Sequence, residues 1–227
     1  MESQNIRKGL RRLSSTKLIL LGFCTIILVG TALLSLPAAS REGRTSITDA
    51  FFTATSATCV TGLVRFDTYT HWSLFGQIVI ICLIQIGGIG FMTIALSIIS
   101  LTKRKIGLAP RVLMQESIGA PQVGGMVRMT KFILGGTALV EGIGALLLSF
   151  YFCPKLGFWK GLYFSLFHSI SAFCNAGFDL MGGEKPFSSL TLLYDHAYVN
   201  FIIMALIVIG GLRFFVWRDL LSNPFVF

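Results

Sequence analysis

Charge is what this sequence has least of. Only 13% of its 227 residues are Asp, Glu, Lys or Arg, against 54% hydrophobic residues, whereas a soluble domain carries about 25% charged residues. The shortage is concentrated in runs. No ionised side chain lies between Lys17 and Arg41, between Asp67 and Lys103, or between Lys160 and Asp179. About 20 apolar residues cross a bilayer as a helix, and several of these intervals reach that length. A soluble core does not absorb so many such runs in so short a chain, so lipid is the expected solvent.

Motifs for catalysis and metal binding are missing as well. The five cysteines, at positions 24, 59, 82, 153 and 174, form no CxxC pair and no Cys/His cluster. That pattern points to neither a zinc site nor a disulfide framework, and leaves them as small packing residues. Nucleophile elbow, HExxH and paired catalytic carboxylates are all absent, so an enzyme is not expected, and no cofactor is implied. Acidic residues are also few, 10 against 19 basic ones, for a net charge of +9. In a soluble protein that excess would suggest nucleic acid. Here Arg7, Lys8, Arg11, Arg12 and Lys17 precede the first apolar run, and Lys103, Arg104, Lys105, Arg111, Arg128 and Lys131 fill one later segment. These are eleven of the nineteen basic residues. The positive-inside rule places both segments in the cytoplasm, in contact with membrane lipid, and the N-terminus inside. Six of the ten acidic residues (Glu42, Asp49, Asp67, Asp179, Glu184, Asp195) then fall outside. A multi-pass protein of the plasma membrane is expected, with no nucleic-acid partner.

The apolar runs have an order. Leu18 to Ala39 is an outward span; it is too long for a signal-peptide core, and Ser35-Leu36-Pro37-Ala38-Ala39-Ser40 matches a cleavage site only loosely. The return span runs from Trp72 to about Leu101. Between them, Ser46 to Gly62 is half-apolar, rich in Thr and Ser, and begins and ends on the outside. It reads as a short helix that dips in, followed by backbone that climbs out, which is tolerated at membrane depth only inside protein or beside a watery cavity. The same plan recurs as Phe132–Phe152, Phe158–Phe178 and Tyr198–Trp217. At a shift of 115, Phe52, Ser56, Ala57, Cys59 and Gly62 meet Phe167, Ser171, Ala172, Cys174 and Gly177. Ile86-Gly87-Gly88-Ile89-Gly90-Phe91 is echoed by Ile209-Gly210-Gly211-Leu212-Arg213-Phe214. Both copies start inside, so they are parallel repeats about an axis along the membrane normal.

The expected fold is an all-α integral membrane protein of tandem parallel helix–pore loop–helix repeats, as in potassium channels. A basic N-terminus (1–17) leads into the first repeat (18–102); a cytoplasmic connection (103–131) leads into the second (132–222), and 223–227 form the end.

A dehydrated cation needs several oxygen ligands at once, and filters supply them as backbone carbonyls from several dipping loops. The preceding short helix turns its partially negative C-terminal end toward the same point. Glycine lets the backbone turn its carbonyls inward. Thr58-Cys59-Val60-Thr61-Gly62-Leu63 and Phe173-Cys174-Asn175-Ala176-Gly177-Phe178 meet these needs without an ionised side chain. The ion-path candidates are Thr58, Val60, Thr61, Gly62, Asn175, Ala176 and Gly177.

Asp49 to Leu63 (DAFFTATSATCVTGL) resembles the first pore loop of the Trk/Ktr/HKT potassium transporters, and His168 to Phe178 (HSISAFCNAGF) resembles the second. Gln85-Ile86-Gly87-Gly88-Ile89-Gly90-Phe91-Met92 and Gln115-Glu116-Ser117 are similar to the family's pattern too, nearest that of the bacterial Ktr membrane subunit. The resemblance implies uptake of potassium, sometimes sodium, through a filter with one glycine from each of four repeats, here Gly62 and Gly177, with potassium held by the backbone carbonyls of Thr61, Gly62, Ala176 and Gly177. It further implies subunits paired as homodimers and control by a cytoplasmic nucleotide-binding ring. The chain holds two repeats, so a second expectation stands beside uptake: a non-conducting fragment with a role in assembly alone.

Other residues carry weaker expectations. Glu141, an acid inside the third span, is an ion-path candidate or a group satisfied between helices. His168 is expected to hydrogen-bond a neighbouring segment, and Asn175 to shape its loop. Asp67 and Asp179 would either concentrate cations at the mouth or be solvated loop charges. Trp72 and Trp159 are expected as interfacial anchors. Arg213 stands where the first repeat has Gly90.

Overall fold

The computed structural model describes residues 15–90 and 126–212. Gln115-Glu116-Ser117, Arg213, both basic clusters except Lys17, Arg128 and Lys131, and the far ends of the second and fourth expected spans lie outside the described residues.

Helix α1 (Ser15–Leu34) carries no charged residue after Lys17 and ends three residues before Pro37, which opens a short 3₁₀ turn, Pro37–Ala39. Proline there cannot extend the preceding helix but suits the first position of a new one. Helix α2 (Ile47–Thr58) starts at Ser46, whose Oγ accepts from the Asp49 backbone N–H and donates to the Asp49 carboxylate at 2.7 Å. Asp49 also pairs with Arg65 at 2.8 Å and faces the positive end of the helix dipole. The buried face of α2 is Ala50, Thr53, Ala54, Ser56, Ala57 and Thr58, all small, so α1 and the next long helix approach it closely. A one-turn helix α3 (Thr68–His71), capped by Asp67, then leads through Trp72 into α4 (Leu74–Ile89), capped by Ser73. The isolated Ser40–Trp72 bridge fastens the segment after α1 to the start of α4.

Helix α5 (Met126–Leu156) has 31 residues, about 46 Å at 1.5 Å per residue. It begins six residues before the expected start of the third span, because nothing in Met126–Lys131 breaks a helix. A single residue, Gly157 at φ 83°, reverses the chain into α6 (Phe158–Phe173). Gly161 lets α6 pack on the backbone of Cys153, where a Cβ would sit 2.5 Å from the Cys153 Cα. After loops and two 3₁₀ turns, α7 (Ala197–Gly211) closes the described chain.

The helices form two similar clusters, α1–α2–α4 and α5–α6–α7, joined where α4 meets α5 and α6. In the first cluster the 12-residue α2 lies between the longer α1 and α4; in the second the 16-residue α6 lies between the 31-residue α5 and the 15-residue α7. Large apolar side chains cover the outside as well as the core: Leu20, Leu28, Leu139, Phe150, Phe201 and Val208 are all more than 60% exposed. Among the described helices, the stretch Thr130–Leu156 of α5 is long and apolar enough to cross a membrane, and α1, α4 and α7 contribute shorter apolar segments.

Candidate ion site between two facing loops

The two short helices end in loops that fold alike. In the first, the backbone N–H groups of Cys59, Val60 and Thr61 donate back to the carbonyls of Thr55, Ala57 and Ser56 at 2.8, 3.3 and 2.9 Å. In the second, Cys174, Asn175 and Ala176 donate to Ile170, Ala172 and Ser171 at 2.9, 3.0 and 2.8 Å. Every partner is displaced by the same 115 positions. The backbone torsions match too: φ is 56° at Val60 and 58° at Asn175, 75° at Gly62 and 72° at Gly177. Valine at positive φ is a true outlier, whereas asparagine tolerates it. Strain of this kind persists only where the surroundings over-determine it.

The N–H groups of Thr61 and Ala176 point back to the helix, and across a planar trans peptide the carbonyls of Val60 and Asn175 point the opposite way. Among the described residues no hydrogen bond uses the carbonyl oxygens of Val60, Thr61, Gly62, Asn175, Ala176 or Gly177. The loops also touch. A Cβ on Gly62 would lie 2.7 Å from the Ala176 oxygen and 3.4 Å from the Gly177 Cα.

Two glycine pairs behind the loops explain how the short helices reach this point. A Cβ on Gly87 of α4 would sit 2.0 Å from the oxygen of Thr58, and one on Gly210 of α7 would sit 1.8 Å from that of Phe173. Thr58 and Phe173 are the last residues of α2 and α6. The repeated Ile-Gly-Gly motif is therefore the notch that receives the C-terminal end of each short helix. The next glycine differs between copies: Gly88 faces the Cys174 Sγ, at 2.5 Å from a built Cβ, while Gly211 has only the Asn175 Nδ2 at 3.8 Å.

The predicted residues separate into backbone and scaffold. Val60, Thr61, Gly62, Asn175, Ala176 and Gly177 lie together in the facing loops. Thr58 is fully buried, and Gly87 packs against its helix-end carbonyl. Asn175 places its Nδ2 3.4 Å from the carbonyls of Phe173 and Ile207, tying the loop to α7. His168 joins Nδ1 to the Phe164 carbonyl at 2.7 Å, and Nε2 accepts from the Leu180 N–H at 3.3 Å, which pins the chain just beyond the second loop. These partners assign the neutral tautomer with the proton on Nδ1.

Two expectations are corrected. Asp67 is not a solvated loop charge. It is 7% exposed; its Oδ1 caps α3 through the N–H groups of Tyr69 and Thr70, and its Oδ2 accepts from the Phe187 N–H at 2.9 Å in the other cluster. Asp179 is half-buried and accepts from the Met181 N–H and the Ser189 hydroxyl, both at 2.8 Å. Trp72 is 1% exposed and packs beneath Gly76, so it is core, because the bridge to Ser40 carries it inward; Trp159, at 81%, stays outside.

The sequence reading missed the seam between the clusters. Gln77 and Gln85 stand eight apart on one face of α4. Gln77 accepts from the Tyr163 hydroxyl at 3.0 Å and donates to the Trp72 carbonyl at 2.9 Å. Gln85 Nε2 donates to both oxygens of Glu141, at 3.0 and 2.9 Å. Two amides at helical spacing in an uncharged run were the available signal. Glu141 is thus buried and held between helices.

Residues 11–224 match the model of the TrkH cation transport proteins. This chain belongs to the TrkH family. It is 44% identical over 213 residues to the potassium/sodium uptake protein NtpJ of Enterococcus hirae, covering 93% of this chain and 46% of that protein. It is 42% identical over 212 residues to the Ktr system potassium uptake protein B of Bacillus subtilis, again covering 93% and 46%. The protein of the same description from Vibrio alginolyticus is 39% identical over 203 residues, covering 89% and 43%. The TrkH chain therefore spans a little under half the length of these relatives. They are membrane transporters, not enzymes.

Proposed function

We propose that the two facing loops are half of a carbonyl-lined cation filter, and that the chain supplies two helix–pore loop–helix repeats to a potassium-uptake protein of the plasma membrane. The observation that carries this reading is the set of six carbonyls, without hydrogen-bond partners among the described residues, on touching, equivalently folded loops. Left bare in lipid, each would cost several kcal/mol; beside a monovalent cation they replace its water. The C-terminal ends of α2 and α6 add partial negative charge at the same place. The names of the relatives support potassium, with sodium as a second cargo. The exposed apolar faces support a multi-pass arrangement, and the basic flanks support a cytoplasmic N-terminus.

Two loops surround an ion incompletely, and the relatives are more than twice as long as the matched segment. The remaining ligands come from further loops beyond these two repeats. A purified chain that passes no potassium in vesicles at any protein density would favour the assembly role instead. Pairing as a homodimer and control by a nucleotide-binding ring belong to this reading through the resemblance alone.

Gly62→Ser and Gly177→Ser test the filter by potassium and sodium uptake. Both place a side chain at positive φ, which costs about 1–2 kcal/mol. Gly62→Ser in addition collides with the Ala176 oxygen, so it disturbs ion discrimination more than Gly177→Ser. Unchanged discrimination in both sinks the reading. So does a cysteine-accessibility map in which residues 46–63 cross the bilayer completely.

A further inference from the structure

The seam beneath the second loop holds an ionisable group that the filter itself does not use. Glu141, midway along α5, is 6% exposed. Its two carboxylate oxygens accept from Gln85 Nε2, its backbone oxygen accepts from the Ser169 hydroxyl at 2.7 Å, and the Cys174 Sγ lies 3.9 Å from Glu141 Oε1 and from Gln85 Oε1. One carboxylate thus joins α4 of the first cluster, α5 of the second and the capping residue of α6.

Cys174 is the hinge of this arrangement. It immediately precedes Asn175, where φ turns positive and the carbonyls leave the helix. Gly88 closes the space on its other side. The thiol is therefore held between a polar pair and a helix backbone, and a shift of its Sγ rotates the peptide that starts the loop. The matched residue of the first repeat has no such support: Cys59 is exposed and has no hydrogen-bonded side-chain partner among the described residues. A carboxylate within a membrane-spanning helix is expensive, and an apolar residue would fill the seam at lower cost.

We infer that Glu141 is a positioning residue: acting through Cys174, it sets the course of the second loop and thereby the ion preference of the pore. The inference rests on the filter reading, and its test keeps the two apart. Variants are made in the intact gene product and expressed in a bacterium deficient in potassium uptake, with potassium and sodium uptake compared at matched membrane abundance. Glu141→Gln changes the potassium-to-sodium ratio by about fivefold or more and adds nothing to Cys174→Ala, as expected for residues acting as one unit. The swap Gln85→Glu with Glu141→Gln returns a carboxylate–amide pair to the seam and restores the ratio. A ratio that stays at the parent value, or effects of Glu141→Gln and Cys174→Ala that multiply, overturns the inference.

Should Glu141→Gln fail to reach the membrane, the parent protein decides. Cys174 then reacts with a small maleimide about tenfold more slowly than Cys59, as its enclosure requires; equal rates overturn the inference. Gly62→Ser runs alongside. If it shifts the ratio and Glu141→Gln does not, the positioning role alone fails. If neither does, the filter reading fails and takes the positioning role with it.

Discussion

Replacing Gly87 by alanine adds one carbon at the most crowded point of the first cluster. The new Cβ would lie 2.0 Å from the Thr58 oxygen, 2.8 Å from its carbonyl carbon and 3.2 Å from a Val60 methyl. Ordinary contact begins at 3.4 Å, so α4 and the end of α2 must part by about 1.4 Å, or the Thr58 peptide must rotate. Alanine in a helix gains about 1 kcal/mol over glycine, but overpacking of backbone that cannot yield costs about 1–3 kcal/mol or more. The displaced atoms lead directly into Val60 and Gly62, so potassium uptake falls by about tenfold or more, as misplacements near 1 Å do elsewhere. Gly210→Ala, at 1.8 Å from the Phe173 oxygen, behaves the same way in the second cluster. The control is Gly142→Ala on α5, where a Cβ meets nothing within 4 Å; it leaves stability equal or about 1 kcal/mol higher. Heat-induced loss of the monodisperse peak on gel filtration in detergent reads stability, and uptake in cells reads function. Gly87→Ala as stable and active as Gly142→Ala would refute the notch.

Val60→Asn relieves a β-branched residue at φ 56° and raises thermal stability by about 1 kcal/mol; an unchanged or lower melting point speaks against the strain. Asp67→Ala strips the acceptor from the Tyr69, Thr70 and Phe187 N–H groups and lowers stability by about 2 kcal/mol. Asp67→Asn keeps the capping oxygen but sets its amide NH2 against the Phe187 N–H, so it recovers only part of that loss; it holds uptake at low potassium within about twofold, whereas a mouth charge would lose more. Burial pushes His71 below the usual histidine range, against a weaker upward pull from Glu42 and Asp49. The unfolded chain then binds the extra proton more readily, so His71 contributes fully above the ordinary value near 6.5 and its contribution is lost as pH falls through the lower folded one. Limited proteolysis of the outer junction should therefore quicken between about pH 7 and pH 5, and His71→Gln should flatten that response.

Much of the helix order could be read from residue patterns, because apolar runs act locally. The boundaries are less legible: the first expected span runs to Ala39, whereas α1 stops at Leu34 ahead of Pro37, and the caps at Ser46 and Ser73 emerge only with the structure. Gly62 and Gly177 stand out, since positive φ is a property of one residue, and both carry it. The Ile-Gly-Gly echo was visible as a recurrence, but its purpose was not, because a glycine marks a close approach without saying to what.

Sequence alone therefore settled the family, the low charge that sets this chain apart from soluble domains, and the two glycines on which the loops turn. Only the tertiary structure decided who meets whom: Gly62 against Ala176, Gln85 against Glu141 across 56 residues, and Asp67 against Phe187 across 120. Local signals depend on one turn of helix or one torsion. These pairings depend on how helices cross, and a helix crossing is fixed by the summed shape of many small side chains, none of which names its partner.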